Sequence, residues 1–176
     1  MKGRLLLWIP FAIFAAFALF FASGLLKPDD RVITSRLVGQ PLPQFDLPQG
    51  ASDRPALSSA VFRQGQPRML NIFASWCVPC AAESPQLIAL AKAGVPIEGV
   101  AIRDAREDVD AFLLRWGNPY SHIGLDARSA LQLELGSSGV PETFIIDGQG
   151  RIVHQHIGDI REDDIPQLLK IWREAQ

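Results

Sequence analysis

Cys77 and Cys80 are the only thiols in a chain of 176 residues, and they stand two residues apart in "NIFASWCVPC". Three chemistries use such a pair: a structural disulfide, half of a metal site, or reversible thiol–disulfide exchange. As a staple the pair is poor, because so small a loop removes little entropy from the unfolded chain. A zinc or copper site needs more donors, and the only soft partners left are His122, His154 and His156. No second cysteine pair is present, and His154 and His156 read better as one half-exposed face of a strand.

Exchange chemistry fits the flanks. "RMLNIFAS" is a short apolar run of buried-strand type, and a helix is expected from about Val78 to Ala93, closed by Gly94. Cys77 therefore opens a helix, among unpaired backbone N–H groups at the positive end of the dipole, where a thiolate is favoured. In Cys-X-X-Cys motifs such positions lower the thiol pKa from about 8.5 toward roughly 3.5 to 7.5, which makes Cys77 a nucleophile and a good leaving group. Cys80, one turn later and further inside, resolves the mixed disulfide that Cys77 forms, and its tether spares it a second encounter. Pro79, near the helix start, stiffens the turn at little cost.

The elements around this pair alternate. "VPIEGVAI" reads as a second buried strand, and Val109, Phe112, Leu113 and Trp116 form one apolar helical stripe, closed by Gly117 and Pro119, that is expected to pack on the sheet. "SHIGLD" is a weak strand signal and "ARSALQLEL" a short helix before the "GSSG" loop. "ETFIID" and "RIVHQHI" flank the turn sequence "DGQG" as an antiparallel hairpin, and Ile165, Leu168, Leu169 and Trp172 mark a final helix. The layout is mixed α/β, with helices on a central sheet.

Ahead of this domain, Leu5 to Leu26 carries no charged side chain, and as a helix of roughly 22 residues it would span about 33 Å, enough for a bilayer core of about 30 Å. The competing reading is a cleaved signal peptide, with "ASG" at Ala22 to Gly24 as its processing site, but the apolar run exceeds the h-region of about 7 to 15 residues. The stretch from Lys27 to Pro55 is rich in Pro, Gly, Gln and Asp, and the expected organisation is a cytoplasmic tail over 1–4, a transmembrane anchor over 5–26, a linker over 27–38 and a domain over 39–176. Setting aside Lys2, Arg4 and Lys27 leaves 14 of the 17 basic residues against 19 acidic ones, which argues against a nucleic-acid partner. A chain that keeps only two cysteines suits an oxidising compartment, and a monomer is the default.

A distant "GVPETF", Gly139 to Phe144, places Pro141 directly before a buried strand, as an ordinary strand-entry proline or as a cis Val140–Pro141 bond. With "WCVPC" opening a helix, this arrangement resembles the thioredoxin superfamily. The resemblance implies a thioredoxin-like fold, a central mixed sheet flanked by helices, here with an N-terminal transmembrane helix. Pro85 matches the proline that kinks the active-site helix. It also implies that Pro141 is cis and faces the disulfide, that Trp76, Val140 and Pro141 dock the substrate, and that the backbone of Val140 pairs with the substrate chain, a local form of strand addition. Asn71 departs from the buried aspartate of thioredoxin, and Glu83 matches an active-site glutamate of the membrane-anchored relatives. Glu83 also reads simply as an early helix acid complementing the dipole.

The anchor, "LNIFASWCVPC", "GNPY", "GVPETFIIDGQGRI" and "HIGDI" together resemble the thiol:disulfide interchange proteins of cytochrome c maturation, the CcmG/DsbE family, from about Gly39 to Trp172. What this implies is a periplasmic dithiol reductase held at the bacterial inner membrane, with Glu83 and Glu142 tuning acid–base balance. Its partners would be a transmembrane thiol electron donor, and apocytochrome c or a maturation helper protein. It needs no cofactor beyond the Cys77–Cys80 disulfide, and no metal. "GSSGVPETF" lacks the aromatic residue that this family often shows in the loop. Two alternatives use the same residues: a copper carrier of this fold, and a thiol oxidase that differs only in which redox form is more stable.

Overall fold

Runs of apolar residues without alternation mark strands buried on both faces, and the middle of the central sheet is built from such runs, while its last strand, from Ile152 to Ile157, is half-buried. The computed structural model describes residues 8–25 and 34–176, and the chain divides into two units between Val32 and Ile33. The first holds one apolar helix, α1 (Ile9–Leu25). Its 17 residues rise about 25 Å, and among the described residues no helix is long and apolar enough to cross a membrane. The expected tail, residues 5–7 and Leu26 of the expected anchor, and residues 27–33 of the expected linker lie outside the described residues.

In the second unit a two-stranded ribbon, β1 (Asp46–Leu47) and β2 (Leu57–Ser58), precedes a five-stranded sheet. The sheet comprises β3 (Arg68–Phe73), β4 (Ile97–Ile102), β5 (Ile123–Asp126), β6 (Glu142–Ile146) and β7 (Ile152–Ile157), in the order β5-β4-β3-β6-β7. β3, β4 and β5 run parallel, while β6 and β7 return antiparallel. Helices α2 (Val78–Lys92), α3 (Arg106–Trp116), α4 (Ala130–Glu134) and α5 (Ile165–Glu174) connect or follow the strands. This is the thioredoxin-like α/β architecture. Its core includes Phe62, Phe73, Phe144, Leu70 and Ile72, all fully buried. Gly117 ends α3 at φ +93, a backbone conformation that a side chain would strain.

Two expectations change. Residues 34–38 were expected in the linker, yet Ser35 is buried, with its N–H donating to Gln155 Oε1 at 2.7 Å and its hydroxyl to the Leu135 carbonyl at 2.5 Å. Leu37 and Val38 pack against the core beside it. In the α3 stripe, Val109, Phe112 and Leu113 are buried as expected, whereas Trp116 at the helix end is 40% exposed, beside the guanidinium of Arg115.

Strands β3, β4 and β6 carry four fully buried polar side chains: Asn71, Glu98, Glu142 and Thr143. Register and alternation sort them. Asn71 pairs with Thr143 on one face, while Leu70 pairs with Glu98 and Ile72 with Glu142 on the other. Glu98 is held there by Arg68 at 2.5 Å and by the backbone and ring nitrogens of His122, both at 2.9 Å. A buried carboxylate survives when it is paired in this way.

Candidate active site

β3 delivers the chain to Ser75 and Trp76, and α2 starts immediately afterwards. Cys77 is the N-cap of that helix, in extended conformation, and its Sγ accepts the Cys80 N–H at 3.2 Å. The helix thus aims an otherwise unpaired backbone donor at the first sulfur, the arrangement that favours a thiolate. The two sulfurs are joined as a disulfide, and Cys77 and Cys80 are 5% and 2% exposed. Pro85 lies inside α2 and cannot bond the Ala81 carbonyl, while the Ser84 hydroxyl donates back to the Cys80 carbonyl at 3.1 Å.

The loop before Cys77 is clasped by the segment that follows β4. Asp104 accepts the Ser75 N–H at 2.6 Å and the Ser75 hydroxyl at 2.7 Å, and Trp76 Nε1 donates to the Arg103 carbonyl at 3.3 Å. Trp76 remains 55% exposed and Val78 80% exposed. Together with Cys77, Ala81 and Trp116 they line an open groove of about 370 Å³. Nothing in the sequence placed Asp104 at this loop or Trp116 in this groove; the first is a contact across 29 positions and the second belonged to a helical stripe.

Val140–Pro141 is a cis peptide bond. The β3–β6 register runs Asn71–Thr143 and Ile72–Glu142, so Pro141 and Val140 follow at the end of the sheet where β3 leads into Cys77. Pro141 is buried and Val140 partly so. Among the hydrogen bonds of the described residues, none uses the backbone of Val140.

Glu83 lies one turn after Cys80 on the buried side of α2 and is 1% exposed. Its Oε1 accepts Asn71 Nδ2 at 3.0 Å and its Oε2 accepts the Ile160 N–H at 3.0 Å. Burial pushes its pKa from the usual 4.5 up to about 7; the two hydrogen bonds counter this and Asp159 adds a smaller upward push. Asn71 also donates to Thr143 Oγ1 at 3.0 Å and accepts the Tyr120 hydroxyl at 2.7 Å. Asn71 and the "GNPY" tyrosine, noticed in the sequence only as family marks, thus form the floor beneath the helix.

Glu142 is not part of this cluster. It faces the other side of the sheet, where it accepts the Ser137 hydroxyl at 2.7 Å, the Ser138 N–H at 3.0 Å and Gln155 Nε2. The expected acid–base role rested on its place next to Pro141, and strand alternation turns it away from α2. It ties the "GSSG" loop to β7 instead. The histidines are engaged elsewhere too: His122 with Glu98, and His156 with the Asp159 carbonyl at 3.3 Å. His154 has its pKa lowered by burial and by His156. Among the described residues no group of three or more His, Cys, Asp or Glu is placed to hold a metal ion.

A family model described as Redoxin matches residues 37–171, the whole span from the β1–β2 ribbon through the sheet and into α5. The chain belongs to the Redoxin family. This redoxin is 38% identical over 171 residues to the thiol:disulfide interchange protein DsbE of Vibrio cholerae, covering 95% of this chain and 92% of that one. It is 35% identical over 164 residues to the thiol:disulfide interchange protein HelX of Rhodobacter capsulatus, covering 93% of each. A crystal structure of a thiol:disulfide interchange protein of the thioredoxin family from Chlorobium tepidum superposes with a TM-score of 0.62 at 23% identity, covering 81% of this chain and 98% of that one, and so shares the fold. The redoxin is a CcmG/DsbE-like member of the thioredoxin superfamily and a thiol:disulfide oxidoreductase.

Proposed function

We propose that the redoxin is a membrane-anchored dithiol reductase of cytochrome c maturation, facing the periplasm, that keeps the haem-attachment cysteines of apocytochrome c, or a helper protein, reduced. The observation that carries the direction of attack is the Cys77 sulfur at the head of α2, capped by the Cys80 N–H, with Cys80 the more buried of the pair. In the reduced protein Cys77 attacks a substrate disulfide as the thiolate, and a mixed disulfide forms as one substrate thiol departs. Cys80 then attacks Cys77 Sγ, gives its proton to Glu83, and expels the second substrate sulfur as a thiolate that is protonated from solvent. Substrate leaves reduced and Cys77–Cys80 is oxidised. A transmembrane thiol donor restores the dithiol.

Docking falls to Trp76, Val140 and Pro141. The unbonded backbone of Val140 suits strand addition by the substrate, and the apolar groove beside Cys77 suits the side chains that flank its cysteine. For the anchor, the support is the uncharged run from Leu5 to Leu26 and the exposed apolar side chains of α1, such as Phe11, Phe14 and Phe20. Resistance of the full chain to alkaline extraction from membranes tests it; release into the supernatant contradicts it. The activity is tested with an apocytochrome c peptide whose two haem-attachment cysteines are joined. The reduced redoxin should open that disulfide, and Cys77→Ser should not; equal activity of both refutes the assignment.

A further inference from the structure

We infer that Tyr120 is a positioning residue for thiol–disulfide exchange: its hydroxyl fixes the Asn71 amide so that Nδ2, and not Oδ1, faces Glu83. The inference rests on the reading of Glu83 as the group that takes the Cys80 proton. Tyr120 is 4% exposed, and the only hydrogen bond of its phenol among the described residues is the one it donates to Asn71 Oδ1 at 2.7 Å. Its ring stacks on Phe73 with centroids 4.8 Å apart and fills the space over Gly99, where an added Cβ would stand 3.0 Å from Tyr120 Cγ. Its backbone is held as well, the N–H donating to Asn118 Oδ1 at 3.0 Å and the carbonyl accepting Arg54 Nε at 2.6 Å. The hydroxyl has little freedom to turn elsewhere.

The other neighbours of the amide do not settle its orientation. Thr143 Oγ1 accepts from Asn71 but, as a hydroxyl, can equally donate. The Ile160 N–H occupies only the far oxygen of Glu83. If Asn71 flipped, the phenol proton would be a buried donor without an acceptor. The flip would also set Oδ1 against Glu83 Oε1, a contact that is tolerable only while Glu83 carries a proton. The tyrosine hydroxyl therefore biases Glu83 toward its carboxylate. The titratable groups coupled to Glu83 are Asp159 beyond β7 and Tyr120 itself; His156 stands opposite Thr143 on the same face of the sheet, and Cys80, one turn earlier on α2, is held in the disulfide. Tyr120 stays a donor throughout, since burial and the charge of Glu83 push its pKa well above the ordinary 10.0.

The test titrates the Glu83 side-chain carboxyl by carbon-13 NMR in the oxidised full chain. Tyr120→Phe keeps the ring and removes the hydroxyl; the midpoint should rise by about one pH unit, and release of product from the Cys77 mixed disulfide at pH 7 should slow about five-fold. Tyr120 is the only tyrosine, so biosynthetic 3-fluorotyrosine alters this position alone. A more acidic phenol is a stronger donor and should lower the midpoint. The order fluorotyrosine, tyrosine, phenylalanine from lowest to highest supports the inference; an unmoved midpoint, or any other order, overturns it even if thermal stability falls. Glu83→Gln separates the two readings. If that variant leaves the pH profile of product release unchanged, the role of Glu83 fails; if it alters the profile while the tyrosine series does not, only the role of Tyr120 fails.

Discussion

Asn71, rising from the central strand β3, donates its side-chain amide to Glu83 on α2 at 3.0 Å, directly beneath the helix that begins with the redox pair. A neutral donor in this position leaves the glutamate without a second carboxylate in the hydrogen-bonded set of Asn71, Thr143 and Tyr120. Its pKa of about 7 lets it exchange a proton near neutral pH.

That raised pKa fixes a sign for stability. The folded state holds the Glu83 proton more tightly than the unfolded state, so the stability this group contributes is fully present below about pH 4.5 and is lost as pH rises through about 7. The loss is about 3 kcal/mol. Urea unfolding of the oxidised protein at pH 5 and pH 8 should show it, and Glu83→Gln should remove most of the difference.

Replacing the resolving thiol should trap the intermediate. Cys80→Ser incubated with a disulfide substrate is expected to accumulate an adduct through Cys77, identified by mass spectrometry. Alkylation of the reduced wild type should show Cys77 as thiolate below about pH 8. An adduct through Cys80 in the reciprocal variant, with none through Cys77, would reverse the roles.

Gly99 lies opposite Asn71 in β4, under the Tyr120 ring. Gly99→Ala would place its Cβ 3.0 Å from Tyr120 Cγ and 3.1 Å from Phe73 Cε1, and both rings are buried in the core. A cost of about 1 to 3 kcal/mol is expected in chemical denaturation.

Glu142→Gln should separate structure from acid–base chemistry. The loop donors Ser137 and Ser138 lose their shared carboxylate, which should cost about 1 to 3 kcal/mol of stability. The pH dependence of Cys77 alkylation should stay where it is; a shift there would restore Glu142 to the acid–base set.

Most strands and helices were legible, because short runs such as "LNIF" and "VAI" are apolar without alternation, as in strands buried on both faces, while the longer helices show stripes at i, i+3 and i+4. The cysteine pair was legible because both helix start and spacing are local. What escaped depends on which side of the sheet a residue faces. Glu142 and Thr143 are neighbours in sequence, yet one holds the "GSSG" loop and the other bonds Asn71 under α2. Ser35 resembled linker because its partners, Leu135 and Gln155, lie 100 and 120 positions away. Tyr120 belonged to a recognisable "GNPY", but its 49-residue reach to Asn71 is a property of the folded sheet.

The direction of electron flow is the central claim, and equilibration of the Cys77–Cys80 couple with glutathione measures it directly. A dithiol reductase should have a potential at or below the glutathione range of about −220 to −260 mV, so that the pair is a donor to substrate disulfides. A potential near about −120 mV, that of a strong thiol oxidant, would contradict it.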